Sequence, residues 1–297
     1  MRWLLMVLLT FFSARAAATV RVVATVPDLA AIAREVGGDK VVVSAMVLPT
    51  QDPHFVDARP NLALDLSRAD LLVLVGLDLE IGWLPTLVAG SRNAKIGIGG
   101  SGYLECSQFV SLLDVPTQKI DRSMGDIHPG GNPHYLYDPR NGGRVATGIA
   151  GRLATIDPAN KDLYAKNAAA FVAKLESARP GWEASLSSLR GKSVLTYHKS
   201  FPYLAAWLGF SVPLSIEPKP GVPPSPSHVV SVLGAVQQSG IKLILQENYY
   251  SATTAELVAS KTGAKLARLS MGTDFAAGET YVAHVDNVVK QVAAVAK

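Results

Sequence analysis

The sequence predicts an α/β protein with two lobes, each a parallel sheet covered by helices, joined by a long rigid helix. Short apolar runs of strand length alternate with segments of helical periodicity, which is typical of parallel sheets buried on both faces. The alternation occurs twice, on either side of a segment with sustained helical spacing. The chain has 297 residues, of which 48% are hydrophobic, enough for two medium-sized domains.

In the first lobe, β-branched and aliphatic residues form runs that end at proline or glycine, the expected limits of buried strands. The segment DLAAIAREVGG, residues 28–38, has helical spacing and ends in glycines, which indicates a helix between the first two strands. The predicted strands cover residues 20–26, 41–49 and 69–76, with AKIGIGG, residues 94–100, as a fourth.

The second lobe repeats this pattern. Two segments with helical spacing, residues 201–210 and 226–240, separate runs of strand length. The predicted strands cover residues 193–198, 212–216, 241–247 and 264–270.

The segment between the lobes predicts a stiff connection. Asp157 suits the N-cap of a helix and Pro158 its first position. About 30 residues of helix would span roughly 45 Å, with Tyr164, Ala168, Phe171 and Leu175 on one face. A flexible linker would be rich in Gly and Ser, so we expect little hinge closure. The predicted boundaries are 1–18 for a signal peptide, 19–156 for the N-terminal lobe, 157–190 for the linking helix and 191–297 for the C-terminal lobe.

The first residues are typical of a cleaved secretory signal. A short basic start precedes the apolar run Trp3–Phe12, and small residues follow it. The apolar run is too short for a membrane span. The alternative is a single N-terminal anchor helix. The single cysteine, Cys106, excludes an internal disulfide and lies far from the cleavage region, so it cannot carry a lipid there. No run of like charges indicates nucleic-acid binding.

Three of the six histidines share a setting. His54 follows the second predicted strand, His134 lies in the loop GNPHYLYDP, and His198 ends the strand SVLTYH. Ligands of open α/β sheets bind beyond the carboxyl ends of the strands. If the two lobes face each other, three imidazoles meet between them, and neutral imidazole suits zinc and its neighbours.

A tetrahedral site needs a fourth ligand. Glu247 is the first choice because it ends the strand IKLILQE at the same sheet edge as His198. Asp274 is the second choice, and a bound water is the third. Each ligating imidazole also needs a partner for its other nitrogen, and the nearest acids in sequence are Asp52, Asp57 and Asp138.

The remaining histidines have weaker settings. His128 lies in the loop before His134 and could receive the metal or support a ligand. His228 is placed to begin a helix, and His284 is expected on the solvated face of the C-terminal helix.

Taken in order, these motifs resemble the metal-binding solute-binding proteins of zinc and manganese ABC importers. The resemblance runs from about Val22 to the C-terminus. The resemblance implies that His54, His134 and His198 are ligands. The family has His or Glu at the third of these positions, and His198 there resembles the zinc-preferring members. The resemblance further implies that the transported ligand is Zn²⁺, with Mn²⁺ possible, and that the partner is a membrane permease. It also implies a periplasmic location and no enzymatic activity, and we expect a monomer. The segments that carry the resemblance are VVATVPDLAAIAREVGGDKVVVSAMVLPTQDPHFVDARP, ADLLVLVGLDLEIGWLP, NPHYLYDP, DPANKDLYAKNAAAFVAKLE and TYHKSFPYLAAWLGF.

Two features depart from the family. The loop before His134 is short and holds one histidine, whereas zinc members often carry a long loop rich in His and acids. The family's usual last ligand is an Asp after the final strand, and in LARLSMGTDF no Asp stands at the expected position.

Other functions stay open at this point. Three histidines and a water also describe a zinc hydrolase, although the chain lacks H-E-x-x-H and G-x-S-x-G motifs. A binding protein for an organic ligand, such as a siderophore or amino acid, is a second alternative, and a secondary adhesin role is a third.

Overall fold

A computed structural model describes residues 19–118, 125 and 127–296. The predicted signal peptide, residues 1–18, lies outside the described residues. Within those ranges, every helix is too short or too polar to cross a membrane.

The N-terminal lobe is built on a four-stranded parallel sheet. The strands lie in the order β2-β1-β3-β4, so that β1 and β3 are central. Their valines and leucines are buried on both faces, as the near-continuous apolar runs predict. The strands are β1 Val20–Ala24, β2 Val41–Ala45, β3 Leu71–Leu74 and β4 Tyr103–Glu105.

The prediction of a fourth strand at residues 94–100 is wrong. Ala94–Ile96 form a 3₁₀ turn, and the strand follows later, at β4. The glycines allow a tight reversal: the amide of Gly100 bonds to the carbonyl of Gly97, and Ile98 is 91% exposed. Alternating glycine leaves a strand with no side chains to pack, so the apolar residues of this run do not form a core strand.

The C-terminal lobe contains a smaller parallel sheet in the order β5-β6-β7. The strands are β5 Leu195–Thr196, β6 Leu243–Glu247 and β7 Lys265–Leu269. The predicted strand at 212–216 is reduced to isolated parallel bridges, which join Ser211 to Ser193 and Ser215 to Thr196. Pro213 lies between them and has no amide hydrogen to donate to a ladder, so the run follows β5 without completing a strand.

Nine helices cover these sheets within the described residues. Those of the first part of the chain are α1 Pro27–Gly37, α2 Pro60–Ser67, α3 Leu84–Ser91, α4 Pro139–Ile156 and α5 Lys161–Ser185. Those of the second part are α6 Pro202–Leu208, α7 Pro226–Ser239, α8 Thr253–Thr262 and α9 Tyr281–Val295.

The long connecting helix is α5, with 25 residues and Pro180 inside it. It begins later than the sequence predicts: Asp157 ends α4 instead, and its carboxylate accepts hydrogen bonds from Asn160 and Tyr164. The helix buries the predicted face that includes Phe171. It packs against α1, α4 and α9, so it is held by both lobes along its length.

A second contact between the lobes lies at α1. The guanidinium of Arg34 donates to the carbonyls of Phe275 and Glu279, and the carboxylate of Asp28 accepts from the amide of Thr273. His284 is buried beside this contact, at 4% exposure, so its predicted place on a solvated face is wrong. The lobes are therefore joined both by α5 and through α1.

Candidate metal centre

The structure brings His54, His134 and His198 together between the lobes. One ligand nitrogen from each lies within 4.8 Å of the others. The ring centroids are 5.3 to 5.4 Å apart, and the side chains are buried, at 8%, 7% and 3% exposure. These are the three histidines that the sequence predicts to meet at the carboxyl ends of the strands.

His54 is positioned by its own loop. The Asp52 carboxylate accepts hydrogen bonds from the His54 amide and from the ring Nδ1, the latter at 2.7 Å. The indole of Trp83 donates to the carbonyl of Pro53 and fixes the loop against the N-terminal lobe. Asp57, the other nearby acid, is exposed. With Nδ1 bonded to Asp52, the nitrogen of His54 that remains for a metal is Nε2.

His134 is positioned by Asn132, two residues before it. The Asn132 side chain accepts from the His134 amide and donates to the carbonyl of Lys199, at 2.7 Å. It thereby ties the loop of His134 to the residue after His198. The Nε2 atom of His134 is buried and has no hydrogen-bond partner among the described residues. A buried nitrogen without a partner is unfavourable, and a bound metal would satisfy it.

Asp138 does not support His134. It is the N-cap of α4, as predicted, and its carboxylate pairs with Arg140 at 2.6 Å. Closeness in sequence therefore gave the wrong partner for this imidazole.

His198 follows the end of β5 and is held by Glu217. Their Nδ1 and Oε2 atoms are 2.7 Å apart, and both side chains are nearly fully buried. Glu217 is not among the residues predicted from the sequence. The signal was present, because Glu217 directly follows the apolar run 212–216, which the parallel bridge between Ser215 and Thr196 places beside β5.

The surroundings keep the imidazoles available as ligands. Burial lowers the pKa of His134 well below its usual value, and the neighbouring histidines, His54 first, lower it further. Burial alone would raise the pKa of Asp52, but the hydrogen bonds and charge interactions with His54, together with the charge interaction with His198, outweigh burial and the pKa is lowered. Metal ligation requires a neutral imidazole, the form that burial favours at His134, and an ionised carboxylate behind the ligand suits that role.

The structure does not bring the predicted fourth ligands into this group. Glu247 ends β6 and is completely buried, but it is not part of the group of three. Asp274 is exposed, and its carboxylate accepts from the amide of Ala277 in a local turn. Assignment of Glu247 as the fourth ligand stays a prediction.

Comparison with known proteins decides the family. The model for ZnuA, described as "Zinc-uptake complex component A periplasmic", matches residues 22–295. The chain belongs to this ZnuA family. The family consists of metal-binding substrate-binding proteins of ABC importers, and not of enzymes, so the hydrolase alternative has no support.

Individual ZnuA-family relatives include both zinc and manganese proteins. The chain is 25% identical to the high-affinity zinc uptake system protein ZnuA of Paracoccus denitrificans, covering 74% of this chain and 73% of that protein. It is 26% identical to the manganese ABC transporter substrate-binding lipoprotein PsaA of Streptococcus pneumoniae, covering 77% and 72%. A 30% identical match to the lipoprotein ScbA of Streptococcus cristatus spans only 57% of ScbA.

The chain also shares the overall fold of a solved ZnuA structure. A crystal structure of ZnuA superposes with a TM-score of 0.77 at 25% identity, covering 94% of this chain and all of that one. The prediction of two α/β lobes joined by a long helix is confirmed.

Proposed function

We propose that the protein binds one Zn²⁺ ion outside the cytoplasmic membrane and delivers it to the permease of an ABC importer, with His54, His134 and His198 as ligands. The observation that carries this proposal is the convergence of three buried imidazoles from both lobes. Two of them have Nδ1 bonded to a carboxylate, which fixes the ring and leaves Nε2 for the metal. This support by outer carboxylates is typical of zinc-binding histidines.

The donor set favours zinc over manganese. Imidazole suits Zn²⁺, whereas Mn²⁺ favours carboxylate and water ligands, and the group of three contains no carboxylate. The relatives are named for both metals, so the choice of zinc rests on the donor atoms of this chain. Any such site also binds Zn²⁺ more tightly than Mn²⁺ in the test tube, by the Irving–Williams order.

The location and assembly of the protein are part of the proposal. A cleaved signal predicted at residues 1–18 and the periplasmic description of the family support a periplasmic carrier. We further propose that it acts as a monomer, because both halves of the candidate site come from one chain. Light scattering of the mature protein, with and without Zn²⁺, tests this.

Release of the metal would come from the loops. The lobes are joined by α5 and by the contacts of Arg34 and Asp28, so a wide hinge movement would break many interactions. The loops of His54 and His134 lie outside the sheets, and contact with a permease could displace them at lower cost. Glu247 is retained as the fourth ligand that the sequence predicts, to be compared with the alternative below.

The proposal is tested by titration of the metal-free protein with Zn²⁺ in competition with a chelator that reports free metal by absorbance. We expect one equivalent to bind with a dissociation constant far below micromolar at neutral pH. Binding no tighter than micromolar would refute the proposal.

Glu217→Gln is expected to weaken Zn²⁺ binding by about 10- to 100-fold, as loss of such support typically does. Glutamine can keep the hydrogen bond to His198, but it lacks the negative charge that makes the imidazole a stronger metal ligand. The same chelator competition measures the change. Glu256→Gln, on the exposed face of α8, is the matched control and should bind like the wild type. Equal affinity of Glu217→Gln and the control would contradict the role of Glu217.

A further inference from the structure

A fourth histidine lies against the group of three. The Nε2 atom of His128 is 3.3 Å from the Nε2 atom of His54. Their ring centroids are 5.3 Å apart, the same as the separations of His54 from His134 and from His198. His128 therefore extends the cluster with the spacing that the cluster already has.

The main chain around His128 is shaped to hold this ring. The amide of Gly131 bonds to the His128 carbonyl and closes a turn, and the ring of His128 hydrogen-bonds to the backbone of Leu77. A side chain at Gly130 would meet Leu77 at 2.8 Å, so the turn packs directly on that residue. Leu77 and Asp78 both have positive φ, at 55° and 62°, which is costly for residues other than glycine.

The hydrogen bonds also fix what the two facing nitrogens can do. In its neutral form, His54 donates from Nδ1 to Asp52, so its Nε2 carries a lone pair. The ring of His128 bonds to the Leu77 backbone, and with that bond at Nδ1 its Nε2 also presents a lone pair. Two facing lone pairs 3.3 Å apart repel each other, and a cation between them would remove the repulsion.

We propose that His128 is the fourth ligand, so that the metal is held by four imidazoles. This inference rests on the proposed function. In tetrahedral zinc sites the Zn–N distance is about 2.0–2.1 Å, which places neighbouring nitrogens about 3.3 Å apart by geometry, and the facing Nε2 atoms already have that separation. Neither His128 nor Glu247 belongs to the tightest group of three, but Nε2 of His128 faces one of its members, whereas the Glu247 oxygens have no hydrogen-bond partner among the described residues.

His128 also lies on the wall of a cavity beside the site. His128, His134 and His198 line this cavity of about 380 Å³, next to Asn132 and Lys199. His128 lies outside the tightest group of three. A shell of four neutral imidazoles offers Mn²⁺ no carboxylate and strengthens the preference for zinc.

The test compares three variants, His128→Gln, Glu247→Gln and His228→Gln, in the chelator competition. His228 lies in the first turn of α7 and is the matched histidine control. We expect His128→Gln to lose about 10- to 100-fold in Zn²⁺ affinity, with water taking the free position, and to lose more than Glu247→Gln, which tests the other candidate for the fourth ligand. His228→Gln should bind like the wild type. Wild-type affinity in His128→Gln, or a loss confined to Glu247→Gln, would overturn the inference.

X-ray absorption spectroscopy of the zinc-loaded wild-type protein gives an answer that does not depend on any variant folding. Four imidazoles around the metal support the inference; three imidazoles with one oxygen overturn it. Either spectrum leaves the proposed function intact, whereas failure of the wild-type protein to bind Zn²⁺ tightly would remove the proposed function itself.

Discussion

His198→Ala is expected to lower the affinity for Zn²⁺ by about two to three orders of magnitude. Structural zinc sites bind with roughly 10–16 kcal/mol, or about 2.5–4 kcal/mol for each of four ligands, and each 1.4 kcal/mol is about a factor of ten. His198 is the ligand that the C-terminal lobe contributes to the group of three. Its loss therefore also removes the direct link between the lobes through the metal.

The measurement is the equilibrium competition with a chelator, supported by the thermal midpoint with and without Zn²⁺. The wild type should gain thermal stability with Zn²⁺, because a ligand that binds only the folded state stabilises it, and His198→Ala should gain much less. His228→Ala is the control for the loss of an imidazole elsewhere in the same lobe. Tight binding by His198→Ala would exclude this residue as a ligand.

The sequence was sufficient to predict the three central imidazoles, and the reason is topological. Parallel strands end at one edge of a sheet, and the two lobes face each other across these edges, so loops that follow strands of either sheet, such as those of His54 and His198, meet between the lobes. Glu217 and His128 depend on other information. Glu217 reaches His198 through an unpredicted bridge at Ser215, and His128 reaches His54 across 74 residues through a turn packed on Leu77.

The errors in the fold have a related cause. Residues 94–100 and 212–216 have the composition of strands, but glycines in one and Pro213 in the other prevent a continuous ladder. His284 was assigned to a solvated face because the pattern of α9 alone cannot show that the Asp28 contact covers it. The local sequence pattern predicts which helices and strands exist. Which strands pair and which helix faces are buried is decided by contacts between residues distant in sequence.

Glu247→Gln is expected to remove a pH dependence from the stability of the metal-free protein. Burial, with smaller contributions from the carboxylates of Asp52 and Glu217, raises the pKa of Glu247 from 4.5 to about 8. Neither oxygen has a hydrogen-bond partner within the described part of the chain. The folded protein therefore keeps Glu247 protonated at neutral pH, while the unfolded chain ionises it.

The sign follows from proton binding. Between pH 4.5 and about 8 the unfolded state binds fewer protons at this position than the folded state, so stability falls as pH rises. Each pKa unit corresponds to about 1.4 kcal/mol, which makes the loss on the order of 4 kcal/mol across the range. Glutamine cannot ionise, so Glu247→Gln should become more stable than the wild type as the pH approaches 8.

Urea unfolding of the metal-free wild type and Glu247→Gln, at about pH 5 and pH 8, measures this difference. The gain of the variant over the wild type should be small at the lower pH and large at the higher one. Glu256→Gln, exposed on α8, should show the same pH dependence as the wild type. Parallel stability curves for wild type and Glu247→Gln would mean that Glu247 is already ionised in the folded state. A buried anion at the end of β6 would then be available to the metal, and this result would favour Glu247 over His128 as the fourth ligand.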